Sequence, residues 1–518
     1  MLILVAAAVF GPHVSGWGFF LDDWANAAYR YYPPGGASFS HVMDAAAAIF
    51  SYRPVLIVFT PLKDSILGIN GSLEFAWTIL LAVIVAALLY AVLRSFKVPR
   101  QHAICISALT LVYPWFDSVR FWEATNAAPL AIALSLTGFL VALRGLAKGS
   151  LRLHLVAAAL YLIAILTYEI TLPLILFAGV AYTFRVGWRA ARSRWALDLV
   201  VVVAGGLWVG KHTTRTVSGT SGDLTHLRQI VEGGATIFAR TFLPLGDQSR
   251  TGLMLVVVGI ILIVGSGVLL WRHRRGRSED GEWGLPQWMI LAAVGLVVAI
   301  LGWAIFIPAD PYYTPSVFGI TNRVNALAGY GLVILAYATI GVGCSIVAAA
   351  IPRVRSLVPA AVVALAILLG AAYIHVLERH MSLWEASNSL QHQAIAKIKS
   401  TYAQLPDGTT LITSGYPVYY TLGVPIFASN WDLDGMLKIE YENSTLAAYP
   451  MLEGMSVDCG PDGVKLQGPG APPTVAPYGS VRLLNLSTGM HAAPGSRAQC
   501  LRQAPSYVAG PMYLMFGY

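Results

Sequence analysis

Long apolar runs alternate with polar segments through the first three quarters of the chain, and the last quarter changes character. A bilayer core takes about 20 apolar residues per helix. Eleven runs approach that length: 2–20, 73–93, 102–118, 127–143, 154–168, 170–184, 196–211, 251–271, 287–307, 324–350 and 357–376. The first is interrupted by Gly11-Pro12-His13 and predicts either an irregular helix or a start placed too far downstream. A cleaved signal peptide competes there, but no basic stretch precedes the run and no A-x-A site follows it.

The polar segments are of two kinds. One kind is short and basic: Arg94, Lys97 and Arg100; Arg144, Lys148 and Arg152; Arg185, Arg189, Arg192 and Arg194; Arg272, Arg274, Arg275 and Arg277; Arg353 and Arg355. The other kind is longer and carries most of the acids, among them Asp22, Asp23, Asp44, Asp64, Glu123, Glu169 and Asp310. Positive charge marks cytosolic loops, so the reading is N-terminus inside and everything after about residue 377 outside. The fold class expected is a polytopic α-helical membrane protein of about 11 transmembrane helices, N-in and C-out, with a C-terminal extracytoplasmic α/β domain.

Three outer regions are large enough to build a site. Residues 21–72 hold two amphipathic stretches, Trp24–Tyr32 and Phe39–Phe50, which read as interfacial helices. Residues 212–250 hold a helical pattern from Leu224 to Phe242. In residues 378–518, helical spacing from His380 to Gln404 gives way to β-like runs, Thr409–Ser414 and Val481–Leu486, and a Gly/Pro-rich loop covers 460–480. The division expected is therefore a membrane domain, 1–377, and a soluble domain, 378–518.

Composition narrows the class. Of 518 residues, 56% are apolar and only 12% charged, against about 25% charged in soluble domains; mean hydropathy is +0.64. A cytosolic enzyme, a disordered chain, a fibrous repeat and a disulfide-dense scaffold are excluded. The net charge of +8 invites a nucleic-acid partner, but the excess is spread over the short cytosolic turns, which argues against one. Cys105 and Cys344 lie in apolar runs and read as packing residues. Cys459 and Cys500 lie outside, where an oxidising compartment allows them either to pair or to stay as thiols.

Candidate chemistry gathers at the outer boundaries. Phe20-Leu21-Asp22-Asp23-Trp24 puts two carboxylates where the chain leaves the first run. Acids at a membrane exit are costly unless solvated or used, and a raised pKa suits a general base; an ordinary helix N-terminus is the plainer alternative. Arg53, in Tyr52-Arg53-Pro54, is either a bidentate phosphate ligand or a residue snorkelling to headgroups. Asp117 and Glu123 flank Arg120, and Glu169 stands between two apolar runs with almost no loop. Lys211 and His212 lie at one outer boundary with Arg215 just beyond, and Arg323 and Asn325 at another. The last two are either a phosphate clamp or an interfacial anchor. Trp431-Asp432-Leu433-Asp434 has the D-x-D spacing of nucleotide-sugar sites but lies outside, where such donors are absent. No Gly-rich phosphate loop opens a helix, which argues against ATP-driven transport; the cytosolic loops are too short to fold a nucleotide-binding pocket, so an activated donor is expected from the membrane.

The order of these features resembles the GT-C superfamily of integral-membrane glycosyltransferases. That order is an acidic pair after the first run, two interfacial helices, Arg53-Pro54 and then Gly68-Ile69-Asn70 before the second, Asp117 and Glu123 after the third, and Tyr168-Glu169 between the fifth and sixth. The resemblance covers residues 15–330 as layout. It implies an inverting transfer, on the outer face of a bacterial plasma membrane, from a polyprenyl-phosphate-linked sugar to a glycan, lipid or protein acceptor. By position it makes Asp22 or Asp23 the base, with Asp22 preferred as the acid nearer the run. It makes Asp117, Glu123 and Glu169 acceptor-positioning or base-tuning acids. Arg53, Arg323 and either Lys211 or His212 would receive the departing lipid phosphate. Some relatives hold a divalent metal, Mg or Mn, beside the acidic loop, and others hold none. Two other readings compete. One is an O-antigen-type polymerase or ligase, although the largest outer mass here follows the last apolar run. The other is a lipid or glycan transporter, although the charges avoid mid-membrane and no internal symmetry is visible.

Overall fold

In a computed structural model, residues 1–33, 36, 38–212, 224–245, 259, 283–467 and 474–514 are described. The apolar run 251–271 apart from Gly259, the basic residues Arg272–Arg277, Arg215 and part of the 460–480 loop lie outside them.

Helices form where the apolar runs predict them. In chain order they are α1 (Leu2–Phe10), α2 (Asp22–Tyr31), α3 (Phe39–Phe50), α4 (Pro54–Leu67), α5 (Gly71–Ser95), α6 (Arg100–Val112) and α7 (Ser118–Phe121). There follow α8 (Ala127–Lys148), α9 (Leu151–Thr167), α10 (Leu172–Val186), α11 (Trp188–His212) and α12 (Leu224–Phe242). The remainder are α13 (Leu285–Ala304), α14 (Ala326–Ala350), α15 (Val358–Thr401), α16 (Asn430–Glu440) and α17 (Arg497–Gln503).

Among the described residues, seven helical stretches are long and apolar enough to cross a membrane: Gly71–Ser95, Glu123–Lys148, Glu169–Val186, Trp188–His212, Leu285–Ala304, Ile320–Ala350 and Pro352–Thr401. Three of the expected eleven are shorter. Leu2–Phe10 gives way to a 3-10 turn at Gly11, as the Gly-Pro break requires. The run 102–118 stops as a helix at Val112 because Pro114 has no N–H and constrains the residue before it. Leu151–Thr167 has 17 residues.

The chain divides into two compact units. One comprises Met1–Pro12, Trp77–Arg120 and Thr125–His380. Within it α13 lies against α14 through Gly295, Gly302 and Gly331, each of which would drive a Cβ into the neighbouring backbone at 2.4–2.7 Å. Small residues that let helix backbones touch are the usual packing device in lipid, where no hydrophobic force joins helices. A cavity of about 350 Å³ lies among α5, α8, α10, α13 and α14, lined by apolar side chains such as Phe96, Phe139, Phe184, Leu291 and Ile334.

The other unit comprises His13–Ala76, Phe121–Ala124 and Met381–Tyr518. The first outer loop thus folds together with the C-terminal region, whose contiguous expectation was 378–518. Its main sheet has the order β4-β1-β8-β9: β1 (Thr410–Ser414) pairs in parallel with β4 (Ala447–Pro450) and β8 (Val481–Asn485), and β9 (His491–Ala492) adds an antiparallel edge. α16 is the crossover between β1 and β4, the connection a parallel pair needs. Leu433, Met436 and Leu437 of α16 are buried with Leu411, Ala448 and Leu484 of the sheet, and Phe19 and Trp24 of the first loop join this core. Gly435 makes that possible, since a Cβ there would sit 2.4 Å from the Trp24 carbonyl oxygen. β2 (Tyr419–Thr421) and β3 (Val424–Pro425) form a small hairpin. A second antiparallel sheet runs β5 (Ser456–Cys459), β6 (Val464–Gln467) and β7 (Thr474–Ala476), and a disulfide joins Cys459 to Cys500 of α17.

Candidate functional site

The acid pair opens α2, where the partial positive charge of a helix N-terminus favours carboxylates. The chain enters through Leu21 at φ 51°, a conformation that costs a branched residue on the order of 1–2 kcal/mol. Reciprocal hydrogen bonds hold it. The Phe20 N–H donates to Asp23 Oδ2 at 2.9 Å, and the Asp23 N–H donates to the Phe20 carbonyl at 3.0 Å. The Ala124 N–H donates to Asp23 Oδ1 at 2.8 Å. Asp23 is therefore 2% exposed with backbone amides on both oxygens. Burial, reinforced by the neighbouring Glu123 charge, pushes its carboxyl well above the usual range. Asp22 differs from its neighbour: it is half-buried and accepts the Trp431 indole N–H at 2.7 Å.

Beside Glu123 lies a buried ionic cluster within the same compact unit. Lys63, on α4, is 5% exposed. Its ammonium is 2.8 Å from Asp64 Oδ1 and 2.7 Å from Glu74 Oε2, and it also contacts Glu123 Oε1. Arg30, from the last turn of α2, pairs with Asp64 Oδ2 at 2.7 Å. Burial pulls the Lys63 ammonium down, but the Glu123 and Glu74 carboxylates outweigh it and hold the pKa above its ordinary value. Arg53, the N-cap residue of α4, is half-buried with its guanidinium over the Tyr52 ring at 4.7 Å.

Of the predicted residues, the fold gathers Asp22, Asp23, Glu123 and Arg53 into this unit. Lys63, Asp64, Glu74 and Arg30 were not singled out as a site by sequence. Their signal was a Lys-Asp dipeptide inside an apolar amphipathic stretch and one acid opening a long apolar run, each common alone.

The remaining predicted residues belong to the other unit. Asp117 is fully buried, with the Asn322 amide donating to Oδ1 at 2.5 Å and His380 Nδ1 bonded to Oδ2. These bonds tie three distant segments together, so Asp117 is bound up in the interior rather than presented to an acceptor. Arg120 is also buried and donates to the Leu111 carbonyl at 2.5 Å and to that of Tyr113. Asn325 is committed too: its amide donates to the Trp115 and Ser316 carbonyls, both at 2.7 Å, and its oxygen accepts from Trp303 at 3.0 Å. Both side-chain N–H groups of Asn325 are thus engaged by backbone carbonyls. Arg323 is half-buried and lies over the Tyr312 and Tyr313 rings at 5.3 and 5.4 Å. Glu169 is half-buried at the turn before α10. Lys211 is exposed at the end of α11, and His212 stacks on Trp208 at 4.1 Å.

The D-x-D pair is structural. Asp432 accepts the Ala428, Ser429 and Leu433 amides at the start of α16, and Asp434 pairs with Lys438 at 2.6 Å. A cation basket lies elsewhere. Carboxylate oxygens of Asp64, Glu74 and Glu123 all fall within 4.8 Å of one another, oxygen donors of the type Mg²⁺ or Mn²⁺ takes. The Lys63 ammonium already stands among them, however, so the residues present do not fit a metal there.

No protein-family model matches the chain, and no curated protein matches it by sequence.

Proposed function

We propose that this chain is a multi-pass enzyme of bacterial envelope assembly, an inverting glycosyltransferase of GT-C type that takes its sugar from a polyprenyl-phosphate donor at the outer face of the plasma membrane. The observation that carries the reading is the contrast within the acid pair: Asp23 is spent on two backbone amides, while Asp22 keeps solvent exposure at the first turn of α2. A base must reach the proton it removes. In this scheme Asp22 takes the proton of the acceptor hydroxyl, and that oxygen attacks the anomeric carbon from the face opposite the phosphate. The anomeric C–O bond breaks, and its electron pair leaves with the polyprenyl phosphate. Arg53, in the same compact unit as Asp22, is the cation assigned to the developing phosphate charge, the kind of interaction that supplies much of a transfer enzyme's rate. The apolar cavity of the membrane-type unit suits a lipid chain, and the seven helices of membrane-crossing length suit a donor that never leaves the bilayer.

Mass spectrometry of envelope glycans from a deletion strain identifies the missing sugar. Transfer from the matching labelled polyprenyl-phosphate sugar is then measured in membranes carrying the wild type, Asp22→Asn or Asp23→Asn. Asp22→Asn is expected to lower the rate by about 10²–10⁴, with the amount of folded protein unchanged. Wild-type transfer by both variants removes the base assignment. A deletion strain with unaltered glycans removes the enzyme reading.

A further inference from the structure

The ionic cluster around Lys63 has the ligand set of a divalent-metal site with an ammonium at its centre. We propose that the Lys63 ammonium is the resident cation of the Asp64, Glu74 and Glu123 basket, in the place a divalent metal would take, so that this basket binds neither Mg²⁺ nor Mn²⁺ in the native protein.

Three observations support it. The first is stoichiometric: an ammonium has three N–H donors, and three carboxylates stand around this one. The second is steric. An ion at metal–oxygen distances of about 2.0–2.6 Å from the oxygens that Nζ itself contacts, two of them at 2.7 and 2.8 Å, would stand almost on Nζ. Ion and ammonium cannot share the basket. The third concerns the cost of leaving. Lys63 is 5% exposed on a helix that also carries Asp64, and the Tyr31 hydroxyl donates to the Asp64 carbonyl at 3.2 Å. Arg30 braces the same carboxylate from α2. An entering metal would have to expel a buried ammonium from the three carboxylates that hold it, a displacement that desolvation opposes.

Cation occupancy of the basket is independent of the transfer reaction. Purified protein in detergent is titrated with Mn²⁺ and free Mn²⁺ is followed by electron paramagnetic resonance. The wild type is compared with Glu74→Gln, Lys63→Ala and the double variant Lys63→Ala/Glu74→Gln. Expected is no Mn²⁺ uptake by the wild type that Glu74→Gln abolishes. In Lys63→Ala about one Mn²⁺ per chain should appear, bound by the vacated carboxylates, and the double variant should lose it. Wild-type uptake that Glu74→Gln removes would overturn the proposal, because the carboxylates would then serve a metal with Lys63 displaced. A folded Lys63→Ala that takes up no Mn²⁺ would overturn it as well. Should Lys63→Ala fail to fold, the wild-type and Glu74→Gln pair decides alone.

Discussion

At the scale of single residues, the molecule distinguishes acids that sequence treats alike. Asp22 and Asp23 are adjacent carboxylates, yet one meets solvent and an indole while the other is locked to backbone amides. Asp117 reads as an acid at an outer boundary, and nothing local shows that His380, 263 positions away, closes on it. Both side chains have zero exposure, so the pair is costly to break. His380→Ala should cost about 3–5 kcal/mol by leaving Asp117 buried with one partner removed. The readout is the thermal denaturation midpoint in detergent; a midpoint equal to wild type would show that the bond does not support the fold. Lys63 makes the same point in reverse. The sequence reading did not single it out, and only the folded chain shows it ringed by acids.

Among elements, the agreement follows hydropathy and the disagreements follow proline. Apolar runs beginning near residues 73, 127, 170, 287 and 324 became long helices, whereas Pro114 cut the third run short. The last apolar run and the helical spacing after His380 merge into a single α15 of 44 residues, about 66 Å long at the helical rise and more than twice a bilayer core. The division between the two compact units falls within it, between His380 and Met381, close to the boundary expected at 377. Further along, α16 owes its first turn to Asp432, whose carboxyl burial raises to about 8 against three amide hydrogen bonds that act the other way. A carboxyl raised in the folded state binds its proton more tightly there than in the unfolded chain. Its stabilisation is thus whole below the unfolded pKa and fades as pH climbs from about 4 to 8. The difference in melting temperature between wild type and Asp432→Asn should shift against the wild type across that interval. A difference independent of pH would assign the proton elsewhere.

For the whole molecule, the two compact units alternate along the sequence, so the first outer loop belongs with residues far beyond it. The shared core of Phe19, Trp24, Leu411, Leu433 and Leu484 is the reason: α2 completes a hydrophobic layer that the C-terminal sheet and α16 leave open. The disulfide serves the far side of that unit. It spans 41 residues and packs with Ile412, Val464 and Leu483 in a second core. Cys459→Ser/Cys500→Ser should lower the stability of this unit by about 2–4 kcal/mol, seen as faster proteolysis between residues 381 and 518. Equal proteolysis with and without the bond would show that the core alone holds the sheet.

Sequence by itself determined the apolar helices, the charge alternation between their loops, the change to α/β structure near the end, and the acid pair after the first run. These are local: a helix satisfies its own backbone hydrogen bonds, so a window of about 20 residues carries its signal. Tertiary structure decided which acid is sealed and which is exposed, that Asp117 belongs to His380, and that an ammonium fills the carboxylate basket. Each of those depends on what burial brings together across tens to hundreds of residues. Charge pairing in a low dielectric is set by distance in space, and no spacing along the chain encodes it.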